Sequence, residues 1–373
     1  VAERLTAGRE TLVITDAALT VPFLASCPAR RIEVDASSAD ITIAVAIARK
    51  IARWRPDVIV AVGGGSVLDV GKIASLALAG GRVLDYVVGH AARSALTFLP
   101  DAPPPIDIVA VPTTLGTSSE TNSVGVVTNE EGHRLIVGRS LRPRHAIIDS
   151  LNLSTLTPDM VEEGALEAFL RLAGASTSSQ RSPRGNSDAV ALGRALLESA
   201  TRDSASASGR LRLARLSAAT QRTAALRGRD PYSARHWYVA NEVSFLLGIR
   251  KMVATAAVIA AVWRRICSGD RRWGDRQSLE NFWAGVSQRA DLPLDPAEGI
   301  SALIRRWRIP IPRAPNADHI CRIAVATEKA WGNRQPMLAE LVAEDFCDVL
   351  RDSHWSRQKV GEGGRPSYSV RRG

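Results

Sequence analysis

The run Val58-Ile59-Val60-Ala61-Val62-Gly63-Gly64-Gly65-Ser66 carries an apolar, strand-like stretch straight into three glycines and a hydroxyl, where helical spacing begins. Glycine lets the backbone approach a ligand closely. The free amides and dipole of a helix start favour an anion, so this bend can seat a pyrophosphate, with Ser66 as a further donor. A tight strand-to-helix turn without a ligand has the same composition. Farther on, Glu163 and Glu167 stand four apart on one helix face. Two such carboxylates can hold a cation, do acid–base work or form a solvated face. His236 is the acid–base candidate, because an unperturbed imidazole titrates near neutrality. Lys251 opens an apolar helix in a chain with only five lysines. It can polarise a carbonyl and stabilise a developing alkoxide, or simply reach solvent.

The first 150 residues alternate two periodicities. Strands are predicted at Thr11–Thr15, Arg31–Asp35, Val58–Val62, Ile106–Val111 and His145–Asp149, with helices at Ile41–Trp54 and Val67–Leu78. Val124–Thr128 and Arg134–Val137 read as a hairpin across Asn129–Gly132. After Ser150 strand signals vanish and apolar residues recur at helical spacing. Helices are predicted at Asp159–Ala173, Ser187–Ala200, Arg210–Leu226, Tyr232–Leu247, Met252–Cys267, Leu279–Arg289, Pro296–Trp307, Ala317–Ala330 and Leu338–Leu350, with a loop over Ser176–Ser187. The expected organisation is an α/β domain with a Rossmann-like, mainly parallel sheet (1–150), then an all-helical catalytic domain (151–352) and a disordered basic tail (353–373). The active site is expected in the cleft between the domains.

Composition narrows the function. A chain of 373 residues, 45% hydrophobic and 23% charged, is ordinary for a globular enzyme. No apolar run reaches the roughly 18–20 residues of a membrane span, and the charged N-terminus is no secretory signal. The net charge of +10 rests almost wholly on arginines spread along the chain, so a nucleic-acid partner is not expected. Cys27, Cys267, Cys321 and Cys347 are far apart and form no CxxC pair, so neither a zinc knuckle nor a disulfide framework is expected. The expected setting is the cytoplasm and the expected assembly a homodimer.

Two motifs then make a specific resemblance. Gly63-Gly64-Gly65-Ser66 with Asp69 and Lys72 resembles the GGGSxxDxxK signature of the iron-containing alcohol dehydrogenases and the related dehydroquinate synthases. Pro112-Thr113-Thr114-Leu115-Gly116-Thr117-Ser118-Ser119-Glu120 resembles their PTTxGTGSE segment. The resemblance is strongest over residues 57–150. It continues more weakly in Pro143 to Asp149, in the helix ending Ile309-Pro310, and in Asn333-Arg334-Gln335-Pro336. It implies the dehydroquinate synthase-like fold, and a cofactor site of Gly63, Gly64, Gly65, Ser66, Asp69, Thr113, Thr114, Thr117, Ser118 and Arg134. Asp16, ending the first strand, is similar to the residue near the adenine ribose. A carboxylate there favours NAD over NADP, although an Asx turn uses the same residue. The family has further residues before this strand, so the opening Val1 implies an alternative start codon or a trimmed chain.

The resemblance also implies a metal that this sequence no longer accommodates. The dehydrogenases bind iron or zinc through a DxxxH helix, an HxxxH helix and a later "PHG" helix start. Here Gly164 stands at the first His position, Ala240 follows His236, and Lys251 replaces the last His. Read against the synthase branch, Glu167 is a ligand, so Glu167 and His236 are the only residual metal candidates. The function expected is an NAD(P)-dependent alcohol dehydrogenase or carbonyl reductase acting on a small-molecule or peptide substrate, as a tailoring enzyme of a natural-product pathway. His236, Lys251 and Glu167 are its catalytic candidates. The alternatives are a sugar-phosphate cyclase like dehydroquinate synthase, and a degenerate partner protein that only binds dinucleotide.

Overall fold

The computed structural model describes residues 1–20, 29–333 and 335–356. A short helix α1 (Ala2–Thr6) precedes β1 (Thr11–Asp16), β2 (Arg30–Val34), α2 (Ile41–Trp54), β3 (Val58–Gly63) and α3 (Gly65–Ser75). Then come α4 (Val83–Ala91), β4 (Leu96–Phe98), β5 (Asp107–Pro112), the hairpin β6 (Val124–Asn129) and β7 (Gly132–Val137), and β8 (His145–Ala146). The remainder is helical: α5 (Pro158–Ala175), α6 (Pro183–Arg202), α7 (Ala207–Arg222), α8 (His236–Leu247) and α9 (Lys251–Cys267). It closes with α10 (Arg276–Ser287), α11 (Pro296–Arg306), α12 (Ala317–Trp331) and α13 (Ala343–Arg351). A parallel α/β domain followed by a helical domain is the architecture that the residue pattern predicts. No helix among the described residues is long and apolar enough to cross a membrane.

The main sheet is wholly parallel, in the order β2-β1-β3-β5-β8. β3 is central and buried at every residue, as a continuous β-branched run should be when both sheet faces are covered. Its Leu/Ile-rich face packs on α2 and α3, and its valine face forms a smaller core with Leu5 and Ile147. Strand order reverses between β1 and β3, which makes a switch point at their carboxyl ends. Thr15 pairs with Val62 and Gly63 with Pro112, so Asp16, the glycine bend and the threonine loop emerge along one edge. The hairpin joins β4 in a separate sheet, β4-β7-β6.

Several boundaries differ from expectation for local reasons. Of the predicted last strand only His145–Ala146 is strand, with the amide of Ile147 still donating to Ala110 at 2.8 Å. α4 and β4 are too short to show a period. Pro183 opens α6, a favoured place for a residue without an amide hydrogen, and this shortens the serine-rich loop. The chain turns at Pro231–Arg235, so α8 starts at His236 rather than Tyr232. Met337, Leu338 and Leu341 are buried in a turn, and their apolarity mimics a helix start. Within the predicted tail, the amide of His354 donates to Ala257 at 2.9 Å, and that of Ser356 to Pro312 at 2.9 Å. The rest of that tail and Cys27 lie outside the described residues.

Candidate active site

Gly64 caps α3 with extended backbone, so the helix begins at Gly65 with its first amides free. The threonine loop is fastened beside it, the amide of Thr113 donating to the carbonyl of Gly63 at 3.0 Å. A Cβ on Gly64 would lie 3.2 Å from Thr114 Cγ2, and one on Gly65 only 2.8 Å from Thr117 Cγ2. The bend therefore takes glycine because another loop lies against it. Ser66 is exposed and its hydroxyl makes no hydrogen bond among the described residues, leaving it and the neighbouring amides for a ligand. At the edge of the same switch point, Asp16 Oδ1 accepts from the amide of Ala18 at 3.0 Å, so the Asx turn forms. Its other carboxylate oxygen has no partner among the described residues. Thr15 Oγ1, buried beside it, also has none.

Three residues of the predicted cofactor set are used elsewhere. Asp69 is buried and accepts from Lys72 Nζ at 3.1 Å, from the amide of Val126 at 3.0 Å and from Ser119 Oγ. Lys72 also donates to Ser119, Asn122 and the carbonyl of Val124, so the pair rivets α3 to the threonine–serine loop and β6. Desolvation holds the Lys72 ammonium below its ordinary range despite Asp69. Ser118 Oγ faces the helical domain, at 2.9 Å from the carbonyl and 2.8 Å from the hydroxyl of Ser217. Arg134 lies on β7 away from the glycine bend. Its guanidinium donates to the carbonyls of Ala91 at 2.7 Å and His133 at 3.1 Å, near the buried carboxylate of Glu242.

The opposite wall comes from α5, α8 and α9. Glu163 is not a free carboxylate: it is buried and paired bidentately with Arg250, which separates it from Glu167 as a cation-binding couple. Glu167 has no hydrogen bond among the described residues. Burial pushes its carboxyl above the ordinary range, against the pull of Arg171 and Lys251. Lys251 Nζ stands 5.1 Å over the ring of Trp237 and has no ion-pair partner within 4.0 Å among the described residues. Desolvation lowers its ammonium first, Arg171 lowers it further, and Glu167 opposes both. His236 is 2% exposed, stacks on Trp237 at 4.6 Å, and leaves Nε2 without a partner. Burial and then Lys251 push it down to about 3, so it stays neutral and is not an acid–base group near neutrality. Arg171 and Trp237 are functional candidates that sequence reading passed over. The available signal was Arg171 falling one turn after Glu167 on the same helix face.

The family model for iron-containing alcohol dehydrogenases matches residues 4–150. Phosphonoacetaldehyde reductase of Streptomyces viridochromogenes is 34% identical over 186 residues, which cover 48% of this chain and 47% of that protein. The N-terminal part of this chain is thus similar to the iron-containing alcohol dehydrogenases. The chain spans less than half the length of these curated relatives. The likeness in fold runs much farther than the likeness in sequence. NADH-dependent butanol dehydrogenase A from Thermotoga maritima superposes with a TM-score of 0.76 at 17% identity, over 94% of this chain and 92% of that one. Sulfoacetaldehyde reductase from Bifidobacterium kashiwanohense, in complex with NAD+, gives 0.70 at 18% identity, over 94% and 92%.

The likeness to iron-containing alcohol dehydrogenases implies a metal, and the described side chains do not fit one. A Cβ on Gly164, at the expected His position, would sit 2.5 Å from both Leu115 Cδ1 and the Leu115 carbonyl oxygen. Leu115 has filled that space and joined the helical core. Ala240, in the second helix, has no donor. Among the described residues no three His, Cys, Asp or Glu side chains gather in a way that could hold an ion. The dinucleotide fares differently, because the first amides of α3 and the Ser66 hydroxyl have no partner among the described residues.

Proposed function

We propose that this chain transfers hydride between a nicotinamide dinucleotide and an alcohol–carbonyl pair, working as a reductase of a small aldehyde in a natural-product pathway. The observation that carries the reading is the direct contact of the glycine bend and the threonine loop at the switch point, near a lysine that has no ion-pair partner among the described residues. The dinucleotide, when bound, supplies or accepts the hydride. Gly64, Gly65, Ser66, Thr114 and Thr117 would hold its diphosphate, and Asp16 the adenine ribose.

The chain's own residues account for the rest. Lys251 polarises the carbonyl oxygen and stabilises the alkoxide that develops on it; a fixed cation in a partly desolvated site is effective there. Glu167, kept protonated to higher pH by burial, delivers the proton to that oxygen and takes it back in the reverse direction. Trp237 excludes water from one side of the ammonium. An aldehyde bearing a phosphonate or sulfonate is favoured by the names of the two relatives and by the chain's net charge of +10.

The test is dinucleotide oxidation at 340 nm, with NADH and NADPH, across short aldehydes that include phosphonoacetaldehyde, sulfoacetaldehyde and neutral analogues. Turnover of an anionic aldehyde with NADH, lost in Lys251→Ala, is the expected result. Absence of dinucleotide binding by the folded protein would sink the reading.

A further inference from the structure

Arg171 sits on α5 and reaches the threonine loop from beneath. Its Nη2 donates to the carbonyl of Gly116 and, at 3.0 Å, to that of Thr117. Its Nη1 donates to Ser118 Oγ at 3.2 Å and to Thr220 Oγ1 at 3.0 Å. Four acceptors from two elements nearly saturate the fork. Glu167 and Glu120 are the carboxylates whose charge favours it. An arginine so committed is expensive to bury unless the geometry it imposes matters.

That geometry has a direct consequence. In a trans peptide the C=O and N–H point opposite ways. Arg171 draws two successive carbonyls, those of Gly116 and Thr117, toward α5. The amides of Thr117 and Ser118 must then point away from α5, on the side where Thr117 touches Gly65. Neither amide meets an acceptor among the described residues. Gly116 at φ +111 and Ser118 at φ +54 hold the loop in this shape. Successive amides turned to one side make an anion-binding concavity.

We infer that Arg171 is a positioning residue for the cofactor. By gripping the carbonyl side of the loop it aims the Thr117 and Ser118 amides, together with those of Gly65 and Ser66, at a diphosphate. It also couples dinucleotide binding to the helical domain. The inference rests on the dinucleotide reading above and adds a device outside both cofactor motifs.

The experiment compares wild type, Arg171→Ala and Arg171→Lys for NADH and NADPH affinity by calorimetry, KM and kcat with the preferred aldehyde, and thermal melting. Arg171→Ala is expected to weaken dinucleotide binding by at least about tenfold, the loss of a charge-assisted contact or more. The expected change is in cofactor KM, with kcat at saturating cofactor within about threefold. Millimolar guanidinium should restore affinity to Arg171→Ala, a rescue that a merely structural role would not give. Arg171→Lys, with one point donor in place of a fork, should fall between and covers the case in which the alanine variant does not fold. Folded variants that bind as wild type does would overturn the inference alone. Wild-type protein that binds neither NADH nor NADPH would overturn it together with the proposed function.

Discussion

The two walls of the candidate site, one from the sheet and one from the helices, use their polar groups in opposite ways. On the sheet wall the amides of α3, the Ser66 hydroxyl and the faces of Thr114 and Thr117 are left unspent. On the helix wall Glu163 is taken by Arg250, Arg171 by the loop carbonyls, and Ser217 by Ser118. Among the described residues Lys251 Nζ, the Glu167 carboxyl, His236 Nε2 and Asn241 Oδ1 have no hydrogen-bond partner there. A phosphate site built of backbone needs little more than glycines and a strand-to-helix bend, so it tolerates change nearly everywhere else. A metal site is built of side chains on several helices, and each replacement can be absorbed separately. At Gly164, where the resemblance places a His, Leu115 packs against the helix. Position 240 is a buried Ala, and position 251 is a Lys.

This contrast can be broken most forcefully at the rivet beneath the sheet wall. Asp69→Ala leaves Lys72 buried without its carboxylate, and such a loss costs about 3–5 kcal/mol. Denaturant unfolding should show it, with dinucleotide affinity failing alongside as the loop loosens. A cost under about 1 kcal/mol, typical of an exposed pair, would mean that the bonds of Ser119 and Asn122 suffice by themselves. On the helix wall, Lys251→Ala should lower kcat by about 10²–10³-fold, the scale seen when one charge-stabilising donor is removed. NADH affinity should stay within about twofold. Equal losses in both would erase the division of labour between the walls.

A smaller effect is expected for Gly65→Ala, whose Cβ would meet Thr117 Cγ2 at 2.8 Å. Overpacking of this kind costs about 1–3 kcal/mol, read as a rise in the dissociation constant for NADH with kcat at saturation retained. The last prediction concerns pH. Glu242, accepting from Trp331 Nε1 at 2.8 Å, is pushed up to about 7, by burial above all. A folded-state carboxyl raised above its unfolded value stabilises fully below about 4.5 and loses that contribution as pH rises through about 7. Melting temperature should therefore decline between those limits, by the equivalent of roughly 1–3 kcal/mol. Glu242→Gln should flatten that slope; an unchanged slope would assign it to other groups.

Legibility followed the same division. The nucleotide wall could be read early because strand, glycines and helix start are contiguous in the chain, and the second motif could be recognised by its hydroxyls. Even there, composition did not say which members of the motifs face a ligand. Asp69 and Ser118 match their motifs, yet one anchors α3 and the other faces Ser217. Arg134 looked available and is spent on Ala91. On the helix wall, Glu163 and Glu167 look alike in sequence and have different fates, because Arg250 reaches only one of them. His236 has the right residue type for acid–base work, but its surroundings hold it neutral.

What the chain settled by itself is local: a buried β-branched run ends in glycines where a helix begins, and helical spacing persists for the second half. Backbone preferences and hydrophobic periods act over a few residues, so they can be read without knowing the fold. What the tertiary structure decided is which side chains lose their water and which partners they meet. Leu115 over Gly164, Arg171 under the threonine loop and Lys251 over Trp237 are each brought together from separate segments. Desolvation and pairing depend on every element packed around a group, and no local pattern encodes them.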